Sequence, residues 1–160
     1  MQKPYGLYNF QEANNGTFYA GSNANAGSKS DYSTYDFCML TMNEKDTVIA
    51  SLGNIINTKA FDGDFYIAPD ESYIIISAKE TKDFECELWI SFRKAYKLWT
   101  TPLSLGEKIN TGVAHRFGQY VSPDGKYLFF TKGTSENDCN IYWVKIDANI
   151  AKLRRQAGAE

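Results

Sequence analysis

The hydrophobic pattern is made of short apolar runs divided by turn-forming residues. Tyr73-Ile74-Ile75-Ile76-Ser77 and Tyr127-Leu128-Phe129-Phe130-Thr131 are apolar at consecutive positions rather than alternate ones. A strand of that kind is covered on both faces. Ahead of each stands a turn signal, Pro69-Asp70-Glu71-Ser72 or Pro123-Asp124-Gly125-Lys126, in which proline sets φ and aspartate bonds its own backbone. The middle of the chain thus predicts four short strands: 65–68, 73–77, 88–92 and, after a Gly106 turn, 108–111. Residues 21–33 and 132–138 are polar and read as long hairpin loops. Ile146, Ile150 and Leu153 fall at helical spacing and predict a short helix or tail over 146–160.

The runs are copies of one another. Ser51-Leu52-Gly53-Asn54-Ile55-Ile56-Asn57-Thr58 recurs about 53 residues on as Ser104-Leu105-Gly106-Glu107-Lys108-Ile109-Asn110-Thr111. Tyr66-Ile67-Ala68-Pro69-Asp70 recurs as Tyr120-Val121-Ser122-Pro123-Asp124, and Cys86-Glu87-Leu88-Trp89-Ile90 as Cys139-Asn140-Ile141-Tyr142-Trp143. A fainter first copy precedes them. Tyr5-Gly6-Leu7-Tyr8 aligns with Phe117-Gly118-Gln119-Tyr120, and Asp36-Phe37-Cys38-Met39-Leu40 with Glu87-Leu88-Trp89-Ile90-Ser91. Asn15-Gly16-Thr17-Phe18-Tyr19 aligns with Asp124-Gly125-Lys126-Tyr127-Leu128. The copies run over residues 5–58, 61–111 and 115–145 within a single domain of 1–160.

Ser122-Pro123-Asp124-Gly125-Lys126-Tyr127-Leu128-Phe129-Phe130-Thr131, followed by Asn140-Ile141-Tyr142-Trp143-Val144, resembles the TolB-type, WD40-like bacterial β-propeller repeat, with Asn140 where that repeat usually has Asp. Trp99, Pro102, Leu105-Gly106 and Ile109-Asn110-Thr111 are similar to a bacterial subgroup of it. The likeness covers residues 60–150 well and 5–58 weakly. It implies an all-β fold of three blades, each a four-stranded antiparallel sheet, that is, half a propeller. Complete propellers have about four to eight blades, so three cannot close a ring. The end sheets would leave apolar faces in water. A two-fold homodimer would complete a six-bladed ring. A missing N-terminal set of blades would also cover an open end. A β-sandwich fits less well, because sandwich strands alternate in polarity.

Composition agrees with an all-β chain: aromatic residues make up 15% and there are only four prolines. The net charge of −2, with no basic block, excludes a nucleic-acid surface of the usual kind. Arg154-Arg155 reads as a solvated tail. No apolar run approaches the length of a membrane helix. The start, Met1-Gln2-Lys3-Pro4-Tyr5, lacks the apolar core of a secretory signal, whereas the resemblance implies a periplasmic or exported protein; these and the cytoplasm stay open. Cys38, Cys86 and Cys139 are far apart and odd in number, which reads as three small core residues and predicts neither a zinc site nor a disulfide framework.

Candidate chemistry lies where the first strand of each copy begins. The resemblance implies that these residues line the channel mouth. On that basis His115, Arg116, Gln119 and Tyr120 in the last copy, with Asp62, Asp64 and Tyr66 in the middle one, form a candidate ligand site. The bland reading is a satisfied loop histidine and an Asp-Gly-Asp turn. No catalytic residue, metal or cofactor is assigned: the chain holds no G-x-S-x-G, H-E-x-x-H or P-loop, and Asp-x-Asp is too little for calcium. The resemblance favours a non-enzymatic binding module for a protein, peptide or glycan. The alternative is a hydrolase or lyase acting on a saccharide or small ester, whose mark would be His115 facing a carboxylate.

Overall fold

The structure, a computed structural model, describes residues 5–25, 34–43, 46–57, 63–81, 85–95, 98–135 and 137–160, with the side chains of 79–81 aside. It is an all-β chain of three antiparallel sheets in sequence order. Sheet I is β1 (Leu7–Glu12), β2 (Phe18–Ser22), β3 (Asp36–Met42) and β4 (Thr47–Ser51). Sheet II is β5 (Phe65–Ile67), β6 (Tyr73–Thr81), β7 (Glu85–Phe92) and β8 (Leu103–Ser104), followed by a helical turn, α1 (Glu107–Asn110). Sheet III is β9 (His115–Val121), β10 (Tyr127–Ser135) and β11 (Asp138–Lys145), followed by α2 (Asp147–Gln156). Among the described residues no helix is long and apolar enough to cross a membrane.

The sheets pack face on face, which explains the consecutive apolar positions. Ile74 and Ile76 point with Phe65 and Ile67 toward Tyr19 and Phe37 of sheet I. Ile75, between them, points with Tyr66, Leu88 and Ile90 toward Val121, Leu128 and Phe130 of sheet III. Sheet II is therefore covered on both sides, and all three isoleucines are buried. Helix α2 fills the remaining space between sheets II and III. It buries Ile150 and Leu153, Asn149 Nδ2 donates to the Leu105 carbonyl at 3.0 Å, and Arg154 lies over the Phe92 ring at 4.9 Å.

The turn chemistry is visible in sheet III. Ser122 Oγ donates to Asp124 Oδ1 at 2.6 Å and accepts the Tyr127 N–H at 3.0 Å, while Gly125 takes φ 72°. The middle turn has the same backbone, with Glu71 in the left-handed position at φ 58°.

Several expectations need correction. Sheet III has three strands, not four; after β11 the chain turns into α2, whose apolar side chains are drawn to the gap between sheets. The last strand of sheet II is Leu103–Ser104, ahead of Gly106, and residues 107–110 form a helical turn. The cause is the side chain of Asn110. Its Oδ1 accepts the Leu88 N–H at 2.8 Å and its Nδ2 donates to the Leu88 carbonyl at 3.0 Å, so a side-chain amide takes the place of a strand. Asn57 does the same for Phe37, at 2.8 and 3.0 Å. The first turn is one residue shorter than the others: Ala13 N–H meets the Thr17 carbonyl, whereas Ala68 meets Tyr73 and Ser122 meets Tyr127. Tyr19 therefore occupies the place of Ile75 and Phe129, not of Leu128. The polar segment 132–138 continues the β10–β11 ladder as far as Ser135 and Asp138 rather than forming a long loop. Cys38 and Cys86 are buried as expected, but Cys139 is exposed on β11.

Candidate functional site

The first strands of the three sheets converge, and along them lies a cleft of about 750 Å³. Its walls come from Asn9 to Asn14 of sheet I, from Asp64 to Asp70 of sheet II and from Gly118 to Gly125 of sheet III. A concave site of this volume, with polar groups over aromatic rings, has the dimensions of a ligand site.

Asp64 stands where the three strands meet. Its Oδ2 accepts the Gly118 N–H at 2.9 Å and its Oδ1 accepts Asn9 Nδ2 at 3.4 Å. Both partners owe their positions to left-handed backbone, at φ 61° for Gly118 and 49° for Asn9, and β1 and β9 each carry a register shift there. Such bulges re-aim the chain toward a site. The Asp64 carbonyl accepts Gln119 Nε2 at 2.6 Å, and Gln11 reaches from sheet I to take the Ile67 N–H at 3.0 Å and to donate to the Phe65 carbonyl at 2.7 Å. These bonds tie the three first strands to one another through side chains.

Tyr66 and Tyr120 form the aromatic part, edge to face with centroids 6.0 Å apart. Burial pushes the Tyr66 phenol up, and Tyr73, Tyr120 and Asp70 add to the effect, so it remains a neutral hydrogen-bonding group. Tyr120 is half exposed and offers ring surface to the cleft. Gln119 is buried, and its Oε1 has no hydrogen-bond partner among the described residues.

Of the residues expected at the site, Asp64, Tyr66, Gln119 and Tyr120 come together in the cleft. Asp62 lies outside the described residues. His115 is half-buried at the start of β9, with its ring 5.2 Å from that of Phe117, away from the described cleft lining. Arg116 lies elsewhere too, fully buried beneath the link between α1 and β9. Its guanidinium donates to the carbonyls of Cys86, Ile109, Thr111, Gly112 and Ala114 at 2.6 to 2.9 Å. Burial lowers its pKa, against the pull of Cys86 and Glu87. Its role is to close a loop that has run out of strand partners.

Sequence reasoning missed Asn9, Gln11, Glu12 and Asp70. Only the weak first copy could have signalled the first three, and Asp70 is read most simply as turn chemistry, since its Oδ1 accepts the Ser72 N–H at 3.0 Å.

A second polar cluster locks sheet I to sheet II outside the cleft. Arg93 Nη1 pairs with Glu71 Oε2 at 2.6 Å, Tyr19 donates its hydroxyl to Glu71 Oε1, and Asn15 Nδ2 donates to Glu71 Oε2 at 3.0 Å. The Arg93 guanidinium also lies 5.4 Å from the centre of the Trp99 ring. No protein-family model matches the chain, and no curated protein matches it.

Proposed function

We propose that the protein is a non-enzymatic binding module of the WD40-like propeller type. It takes a protein, peptide or glycan ligand in the cleft between its first strands, and two copies complete a six-bladed ring. The observation that carries this is the periodicity of the sheet faces. Tyr66, Ile75, Leu88 and Ile90 of sheet II are buried against sheet III. Their equivalents in sheet III are Tyr120, Phe129, Ile141 and Trp143, which are 51%, 37%, 78% and 65% exposed. A contiguous apolar face of this kind marks an interaction surface.

What fits such a face is another sheet of the same kind, and a second copy brings one. The far face of its sheet I carries Leu7 and Phe10, both exposed. Made twice about a two-fold axis, this contact closes on itself. The cleft suits recognition because its groups are already fixed: Asp64, Gln119 and Gln11 are held by bonds between sheets, which lowers the ordering cost of binding. Light scattering of the full chain at micromolar concentration tests the ring. The expected mass is that of two chains, and a stable monomer overturns it.

A further inference from the structure

With the cleft as the ligand site, we infer that its ligand carries a cationic head group, an ammonium or guanidinium on an apolar stem, as on a lysine or arginine side chain. The described lining contains three carboxylates, Glu12, Asp64 and Asp70, and no lysine, arginine or histidine. An anionic ligand would meet like charge on the walls from sheets I and II and no positive charge on the third, whereas a cation meets opposite charge on both. Carboxylates of one sign along the cleft, with no cationic side chain in its described lining, leave the counter-charge to come from the ligand.

Two further features narrow the head group. Gln119 is 5% exposed and lines the cleft. Its Nε2 is taken up by the Asp64 and Ile75 carbonyls, at 2.6 and 3.3 Å, which fixes the amide and leaves Oε1 as a buried acceptor with no donor among the described residues. A buried acceptor left without a donor is costly, so this one calls for an N–H donor. Beside it, Tyr120, set edge to face against the buried Tyr66, presents ring surface over which a cation is attracted and a methylene stem packs. A metal ion does not answer the same description. Among the described residues no three His, Cys, Asp or Glu side chains gather closely enough to hold one. The charge is spread along the walls, as suits an extended organic cation.

The test uses the full chain and five probes: blocked tripeptides Gly-X-Gly with X as Arg, Lys, Gln or Glu, and free spermidine. Binding is read from backbone amide NMR shifts. The expected result is that the Arg and Lys peptides shift the amides of Ile67, Gly118 and Tyr120 and that the Gln and Glu peptides do not. The double variant Glu12→Gln, Asp70→Asn keeps the turn acceptor and weakens the Arg peptide by about tenfold. Spermidine binding at the same amides without peptide binding keeps the cationic class and assigns a free amine as its source. Stronger binding of the Gln or Glu peptide in the cleft overturns the charge assignment and leaves the cleft as a ligand site. Shifts confined to another surface overturn both. Absence of binding by all three cationic probes at millimolar concentration overturns the assignment.

Discussion

Glu71 holds a left-handed backbone, φ 58°, at the turn position that glycine fills in the other two copies. That conformation costs about 1–2 kcal/mol for a residue with a Cβ. The side chain offsets the cost by accepting from Tyr19, Arg93 and Asn15 at once, joining sheets I and II. Burial opposes ionisation of the Glu71 carboxyl, but the bonds from Tyr19 and Arg93 and the Arg93 charge outweigh it, and its pKa falls below the ordinary 4.5. A pKa depressed in the folded state gives stability that is present above the unfolded value and lost as the pH falls through the folded one. Glu71→Gln should therefore destabilise the protein by about 1–3 kcal/mol at pH 7. The deficit should shrink at acid pH, below the ordinary value of 4.5. Urea unfolding of both proteins across that range checks it; a deficit that does not change with pH would mean that the contact is not charge-assisted. The sequence shows Glu71 only as a departure from a Ser-Pro-Asp-Gly turn. Of its partners, Tyr19 and Asn15 lie in the first copy, and Arg93 stands where the last copy has Ile146, the two N–H groups bonding to the equivalent Ser72 and Lys126 carbonyls. Arg116 illustrates the same limit. Its sequence neighbours suggest a channel mouth, but the carbonyls that hold it belong to residues 86 and 109–114, and a backbone acceptor leaves no trace in side-chain identity.

The strands were legible because a sheet covered on both faces needs consecutive apolar residues, and residues 73–77 and 127–131 supply them. The Ser-Leu-Gly-x-x-Ile-Asn repeat was legible as a repeat but not as a device. Its β-prone end, Ile109-Asn110-Thr111, reads as a strand, while the structure uses Ile109 as a buried anchor and Asn110 as an amide clamp on Leu88. Ser104 completes the clamp by accepting Asn110 Nδ2 at 2.9 Å, as Ser51 does for Asn57 at 2.7 Å. The clamp gives the Leu88 N–H an acceptor that β8, only two residues long, does not supply, and adds a second donor to the Leu88 carbonyl, which also accepts the Leu105 N–H at 3.1 Å. Asn110→Ala leaves the Leu88 N–H without its acceptor, while the Leu88 carbonyl keeps the Leu105 N–H, and should cost about 1–3 kcal/mol. The loss should be local: hydrogen exchange at Leu88 should speed up more than at Ile75, in the centre of the same sheet. Equal acceleration at both amides would make the clamp part of the global fold rather than an edge closure.

At the scale of the whole molecule, each sheet repeats the one before it, and the repetition stops at a face that the preceding sheet keeps dry. Sequence alone indicated that an end face needs cover, because strands apolar on both sides imply neighbours on both sides. It could not tell which end is bare. On the far face of sheet I, Ala20, Cys38 and Leu40 are buried while Phe10 is 55% exposed; on sheet III the aromatic row lies open. Two arrangements of a second copy follow. In the proposed ring, sheet III of one copy meets sheet I of the other. In a simple back-to-back pair, sheet III meets sheet III. Charge placed on each face separates them. Ile141→Asp should abolish the dimer in either case, because a carboxylate in a desolvated sheet interface lacks a partner. Phe10→Asp should abolish it only in the ring, where Phe10 of one copy faces sheet III of the other. Light scattering of both variants, with circular dichroism to show that each retains its strands, gives the answer. Monomers from both support the ring, and a dimer that survives Phe10→Asp but not Ile141→Asp replaces it with the back-to-back pair. The cleft gives an independent check. Ring closure would surround it with the first strands of both copies, so the Ile141→Asp monomer should also bind its ligand more weakly, although Ile141 is not among the residues that line the cleft.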